Sequence, residues 1–251
     1  MPQTRLLCID ALRGLAVVWM TVFHFCFDLN QFAYIKENFY TDSFWTLQRT
    51  AIVSLFLFCA GVGQAIAAKN VAENAQTASR FWRRWLQIAG AALLVTVGSY
   101  LMYPQSFIYF GVLHGIALML IIARYTAAWG LWLWPAAALA IGLKFIAAWL
   151  HTLDLAIDFL NQPAFNWLGL ISRLPVTEDY VPLFPWLGAM WIGMAAGFWL
   201  VRRQPKWAVM PLPAISLPLV WLGRQSLSWY LLHQPVMIGL LMLVGYIKAM
   251  G

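Results

Sequence analysis

Asp10, Arg13, His24 and Asp28 stand inside one apolar run near the N-terminus. On a helix turning about 100° per residue, His24 lies about 20° round from Arg13, and Asp10 and Asp28 each about 60° round. All four share one narrow face. Charged groups at membrane depth cost several kcal/mol unless they are paired or wet. The row therefore implies an internal cavity and not a lipid-facing surface. An imidazole one turn from a carboxylate is the arrangement of a general base, with Asp28 orienting the His24 ring and raising its basicity. Asp10 and Arg13, three residues apart, are spaced to pair. His24 is about 16 Å along the axis from Arg13, half the thickness of a hydrocarbon core.

Two further histidines lie in apolar runs, His114 after Gly111-Val112-Leu113 and His233 before Gln234-Pro235. His114 is at a depth close to that of His24, where it would serve as a second catalytic group or make a helix-packing hydrogen bond. Pro235 removes a backbone donor and predicts a kink, so the polar residues near it would also serve to satisfy the freed backbone. Glu178 and Asp179 precede a proline-rich approach to an apolar run, as acceptor-binding groups or as a solvated face. Arg80, Arg83 and Arg84 form a basic cluster that sets topology and would also attract phosphates. Gly61 and Gly63 permit close helix approach.

Apolar residues make up 63% of the 251 and charged residues 10%. That balance fits lipid as solvent and predicts an all-α integral membrane protein, a single domain over residues 1–251. Seven runs reach or approach the ~20 residues a span needs: Leu7–Leu29, Thr50–Ala68, Trp85–Tyr103, Phe107–Ile122, Ala127–Leu150, Pro185–Val201 and Leu227–Ile247. With the N-terminus cytoplasmic, Arg5, Lys69, Arg80, Arg83, Arg84, Arg124, Arg202, Arg203, Lys206 and Arg224 fall inside. Lys36, Arg49, Arg173 and Lys248 fall outside, and so does the C-terminus. The net charge of +7 thus reads as a topology signal and not as a nucleic-acid footprint. An outer loop, His151–Phe184, carries Asp154, Asp158, Glu178 and Asp179, and its apolar stretch Phe165–Ile171 would lie in the interface or re-enter the membrane. An inner one, Gln204–Gln225, is rich in proline and holds an apolar run too short to span. Cys8, Cys26 and Cys59 read as small core residues, with no metal spacing. Small-residue faces leave packing within the chain or between copies open.

Asp10-Ala11-Leu12-Arg13-Gly14 followed by Phe23-His24-Phe25 resembles the start of bacterial relatives of heparan-α-glucosaminide N-acetyltransferase. Gly111-Val112-Leu113-His114, Asp179-Tyr180-Val181-Pro182-Leu183 and Gly223-Arg224-Gln225-Ser226-Leu227 through His233-Gln234-Pro235 fit the same group in order, over nearly the whole chain. Arginine, ten residues and then histidine is similar to the signature of the acyltransferase-3 membrane enzymes. The two groups are linked in a transmembrane acyltransferase superfamily. The lysosomal enzyme has a different residue at the place matching His24, so a catalytic His24 follows from the acyltransferase-3 similarity.

The resemblance implies acetyl-CoA or another acyl-CoA as donor on the cytoplasmic side, and a sugar or glycan acceptor on the far side of a bacterial cytoplasmic membrane. For such an acyl transfer the placement of the residues gives His24, Asp28 and His114 to catalysis. The same placement gives Arg13, Arg83, Arg84, Arg224 and His233 to the coenzyme, and Glu178, Asp179 and Tyr180 to the acceptor. No metal is expected. Two other classes suit intramembrane ionisable groups. A polar-solute or proton-coupled transporter would use them, although no two-fold repeat is visible. A haem or quinone protein would use histidines on different helices.

Overall fold

The structure is a computed structural model that describes residues 6–71, 76–153 and 157–250. Arg5 and Asp154, assigned above to the inner and outer faces, lie outside the described residues. The described part is helical: α1 (Leu7–Gln31), α2 (Ser43–Val71), α3 (Gln76–Met102), α4 (Val112–Tyr125), α5 (Leu133–His151), α6 (Trp186–Arg203), the single turn α7 (Lys206–Val209), α8 (Leu217–Arg224) and α9 (Ser226–Met250). Among the described residues the β-pairing is one isolated parallel bridge, Phe110 with Tyr180.

Among the described residues five segments are long and apolar enough to cross a bilayer: Leu7–Gln31, Ser43–Lys69, Ala78–Met102, Ala127–His151 and Ser226–Met250. The runs expected at Phe107–Ile122 and Pro185–Val201 are the shorter α4 and α6, of 14 and 18 residues. At ~1.5 Å per residue, α4 reaches about 21 Å. It starts late because Phe110 is held in the bridge to Tyr180 and Gly111 is the N-cap.

The chain forms two compact units, Met1–Phe56 with Pro205–Gly251, and Leu57–Gln204. In the first, α1 packs on α8 and α9. A Cβ on Gly14 would stand 1.9 Å from the Leu219 carbonyl oxygen, and one on Gly223 would stand 1.9 Å from that of Asp10. Two such contacts bring the backbones together and set α8 antiparallel to α1. The short inner run is therefore a helix folded back along the start of α1. Rungs between α1 and α9 climb in the same order on both helices, Thr21 to Trp229 and then His24 to His233, so these helices run parallel and begin on the same side of the bilayer. Met20, Phe23, Phe39 and Ile52 form a core cluster, with Trp45 stacked on Phe39 at 4.1 Å. This cluster folds the α1–α2 connection back on α1.

In the second unit α6 packs on the end of α2 and on α5. A Cβ on Gly61 would meet the Met190 carbonyl oxygen at 2.0 Å, whereas Gly63 has open space. Close approach is thus required at Gly61 and not at Gly63. Trp85 donates to the Ala117 carbonyl at 2.9 Å and ties α3 to α4.

Candidate active site

His24 and His233 meet in the first unit. His24 Nδ1 lies 2.7 Å from His233 Nε2, and the rings are stacked with centroids 5.0 Å apart and planes 17° apart. His233 is buried; His24 is partly exposed. The partners fix the tautomers. His233 Nδ1 faces two carbonyl oxygens, Tyr230 at 2.9 Å and Trp229 at 3.1 Å. Carbonyls only accept, so this nitrogen carries the hydrogen. In the neutral ring Nε2 then accepts, and His24 Nδ1 donates to it. That leaves the lone pair of His24 on Nε2, which has no protein partner among the described residues. An imidazole held this way is a base or nucleophile with its reactive nitrogen presented.

Asp28 does not orient His24 as the sequence spacing suggests. Its carboxylate is buried, 3% exposed, and takes its hydrogen bond from the Gln234 side chain. Its Oδ2 is left without a partner. The orienting contact to His24 comes from α9, and His233, assigned above to the coenzyme, supplies it. Pro235 does not end α9, which runs on to Met250.

Below this pair lies an arginine cluster. The buried Asp10 accepts from Arg13 on one oxygen and from Arg224 on the other, each at 3.4 Å. Asp10 and Arg13 pair as their spacing predicts. The Arg13 side chain is 19% exposed and that of Arg224 is 43%, so Arg224 is the more open of the two cations.

The remaining candidates belong to the second unit. His114 Nε2 lies 3.0 Å from Thr96 Oγ1, whose hydrogen goes to the Ile108 carbonyl, so His114 Nε2 donates. His114 Nδ1 accepts from the Gly111 backbone N–H at 3.3 Å. Both nitrogens are engaged, as in a helix-packing hydrogen bond. Asp179 Oδ2 accepts from the Val112 N–H at 2.7 Å and caps the start of α4. Glu178, exposed, accepts from the Ser106 hydroxyl. The Tyr180 hydroxyl donates to the Asn166 carbonyl. Burial, and then the nearby Tyr109, push the Tyr180 phenol above its ordinary range, which keeps it a neutral donor. Arg83 and Arg84 are exposed on α3, where Arg83 lines a groove with Ser79, Trp82, Leu86 and Gln87.

A family model described as heparan-alpha-glucosaminide N-acetyltransferase, catalytic, matches residues 5–235. The chain belongs to that family. No curated protein and no solved structure matches it. The match runs from the arginine cluster through His24, Asp28 and His114 and ends just past His233 and Gln234, so every polar side chain of this candidate site lies within it. The resemblance to heparan-α-glucosaminide N-acetyltransferase drawn from the motifs is the family found, and the family is one of membrane acetyltransferases.

Sequence reading missed Gln234 and the contact of His233 with His24. The available signal was that intramembrane polar groups need partners. His24 and Asp28 on α1 are matched by His233 and Gln234 on α9, at a separation that no periodicity reveals.

Proposed function

We propose that the chain is a transmembrane acyltransferase. It moves an acyl group, in the first instance acetyl, from cytoplasmic acyl-CoA to a hydroxyl or amine of a sugar or glycan on the outer face. Its setting is a bacterial cytoplasmic membrane, with the basic loops inside as the charge bias favours. The observation that carries this reading is the His24–His233 contact at 2.7 Å, with its two carbonyls behind, which leaves His24 Nε2 as the lone-pair nitrogen.

His24 Nε2 takes the proton from the acceptor O–H or N–H as the acceptor oxygen or nitrogen attacks the thioester carbonyl. The new C–O or C–N bond forms, the C–S bond breaks, and the imidazolium returns its proton to the leaving thiolate. No net proton is gained or lost. His233 holds the His24 ring through the Nδ1–H and accepts from it more strongly once the ring is charged. Arg224 and Arg13 attract the phosphates of the donor in place of part of their contact with Asp10, and Arg83 and Arg84 add to the basic inner surface. In the second unit Glu178 is the group proposed to bind a polar acceptor, on the loop that Asp179 and Tyr180 hold in shape.

The test is turnover by the purified, reconstituted protein. Acetyl-CoA should be consumed with release of free thiol, and His24→Ala should abolish this while thermal stability is retained. Wild-type turnover in His24→Ala removes the imidazole from the reaction, and an inert wild type removes the reaction itself.

A further inference from the structure

Three polar rungs join α1 to α9, and they are not equally filled. Thr21 accepts from Trp229 at 2.8 Å and passes its own hydrogen to the Val17 carbonyl. His24 and His233 complete each other. At the third rung the Gln234 side chain satisfies one side of the Asp28 carboxylate and Oδ2 is left with no partner, although Asp28 is only 3% exposed. A buried polar atom without a hydrogen bond costs about 1–3 kcal/mol, and more when charged. That cost persists where a ligand removes it.

The position of this oxygen relative to His24 limits the ligand. Asp28 follows His24 by four residues, about 40° round and about 6 Å along the helix. The two residues therefore sit one turn apart on one face of α1, and each keeps one acceptor atom without a partner, His24 Nε2 and Asp28 Oδ2. An alcohol or amine with a single donor satisfies only one of them. A ring with several hydroxyl or amino groups satisfies both with little entropy loss, because its donors are held in fixed relation.

We infer that Asp28 Oδ2 receives a second hydroxyl or amino group of the acceptor molecule whose nucleophile faces His24. Resting on the acyl-transfer reading, in which the acceptor is a sugar, this makes Asp28 the residue that selects for its second polar group. Binding energy gained at the second group holds the first in line for attack. A hydrophobic contact rejects a missing group weakly, whereas a buried polar atom left unpaired rejects it strongly.

The experiment uses the full chain in lipid nanodiscs, acetyl-CoA as donor, and two amines of the same ring size. Glucosamine carries hydroxyl donors beside its amine and cyclohexylamine carries the amine alone; rates are referred to the free-base amine, because the two differ in basicity. The wild type should favour glucosamine by about 30-fold or more in kcat/KM, and Asp28→Asn should bring the ratio to within about threefold. Gln234→Leu keeps the carboxylate and removes its tether, and should raise KM for glucosamine about fivefold at unchanged kcat. It serves also if Asp28→Asn does not fold. Equal use of both amines by the wild type overturns the inference, as does full discrimination in Asp28→Asn or an unchanged KM in Gln234→Leu. Acetyl-CoA consumed but passed to neither amine overturns it too and leaves acyl release standing. Acetyl-CoA left intact sinks the acyl-transfer reading and this inference with it.

Discussion

His24 and His233 share one hydrogen bond of 2.7 Å across 209 residues of chain. The bond acts in one direction only. The two carbonyls behind His233 force its Nδ1 to donate, so the pair relays a fixed polarity from the α9 backbone to the free nitrogen of His24.

That polarity is testable at His233. Leucine there removes the acceptor for His24 Nδ1–H, and the ring loses its preferred tautomer. The expected loss is about 100-fold in kcat, with KM values for donor and acceptor little changed. Gln retains a carbonyl acceptor and should recover most of the loss. A residue important only for packing would lower thermal stability in both variants and show no such rescue.

The arginines predict a donor-specific effect. Arg224→Gln should raise KM for acetyl-CoA about tenfold, equivalent to ~1.4 kcal/mol. The same variant should handle S-acetylpantetheine, which lacks the nucleotide phosphates, as the wild type does. Steady-state kinetics with the two donors decide it. An equal loss on both would place Arg224 in the fold and not at the phosphates.

Asp179 should matter for stability before activity. It caps the first N–H of α4, and Gly111 leaves the space for it, since a Cβ there would meet Asp179 Oδ2 at 2.3 Å. Asp179→Ala should cost about 1–2 kcal/mol, and Asp179→Asn, which keeps an accepting oxygen, should cost much less. Thermal melts in detergent measure both. A large rise in acceptor KM with no change in melting would instead put Asp179 directly on the acceptor.

Glycines that look alike in the sequence should respond differently. Gly14→Ala and Gly223→Ala each force a methyl into backbone of the facing helix. Each should cost about 2–3 kcal/mol and lower the melting temperature by about 5–10 °C. Gly63→Ala has open space and should melt close to the wild type.

The polar face of α1 was legible because helical periodicity is local. Asp10, Arg13, His24 and Asp28 fall on one stripe whatever surrounds them, and the Asp10–Arg13 pair follows from spacing alone. Hydropathy is local too, and it located the five segments long enough to cross a bilayer. It misjudged the start of α4, which depends on a bridge between Phe110 and Tyr180, 70 positions away in the chain.

The sequence by itself determined that this is a helical membrane protein of an acetyltransferase family with a reactive-looking imidazole in its first helix. Only the tertiary structure decided which groups that imidazole and its neighbours would use: His233 for His24, Gln234 for Asp28, Arg224 for Asp10, and internal partners for His114. The reason is physical. A residue's angle on its own helix follows from its number, but the partner it meets is set by how distant helices pack, and at Gly14 and Gly223 that packing is fixed by backbones in contact.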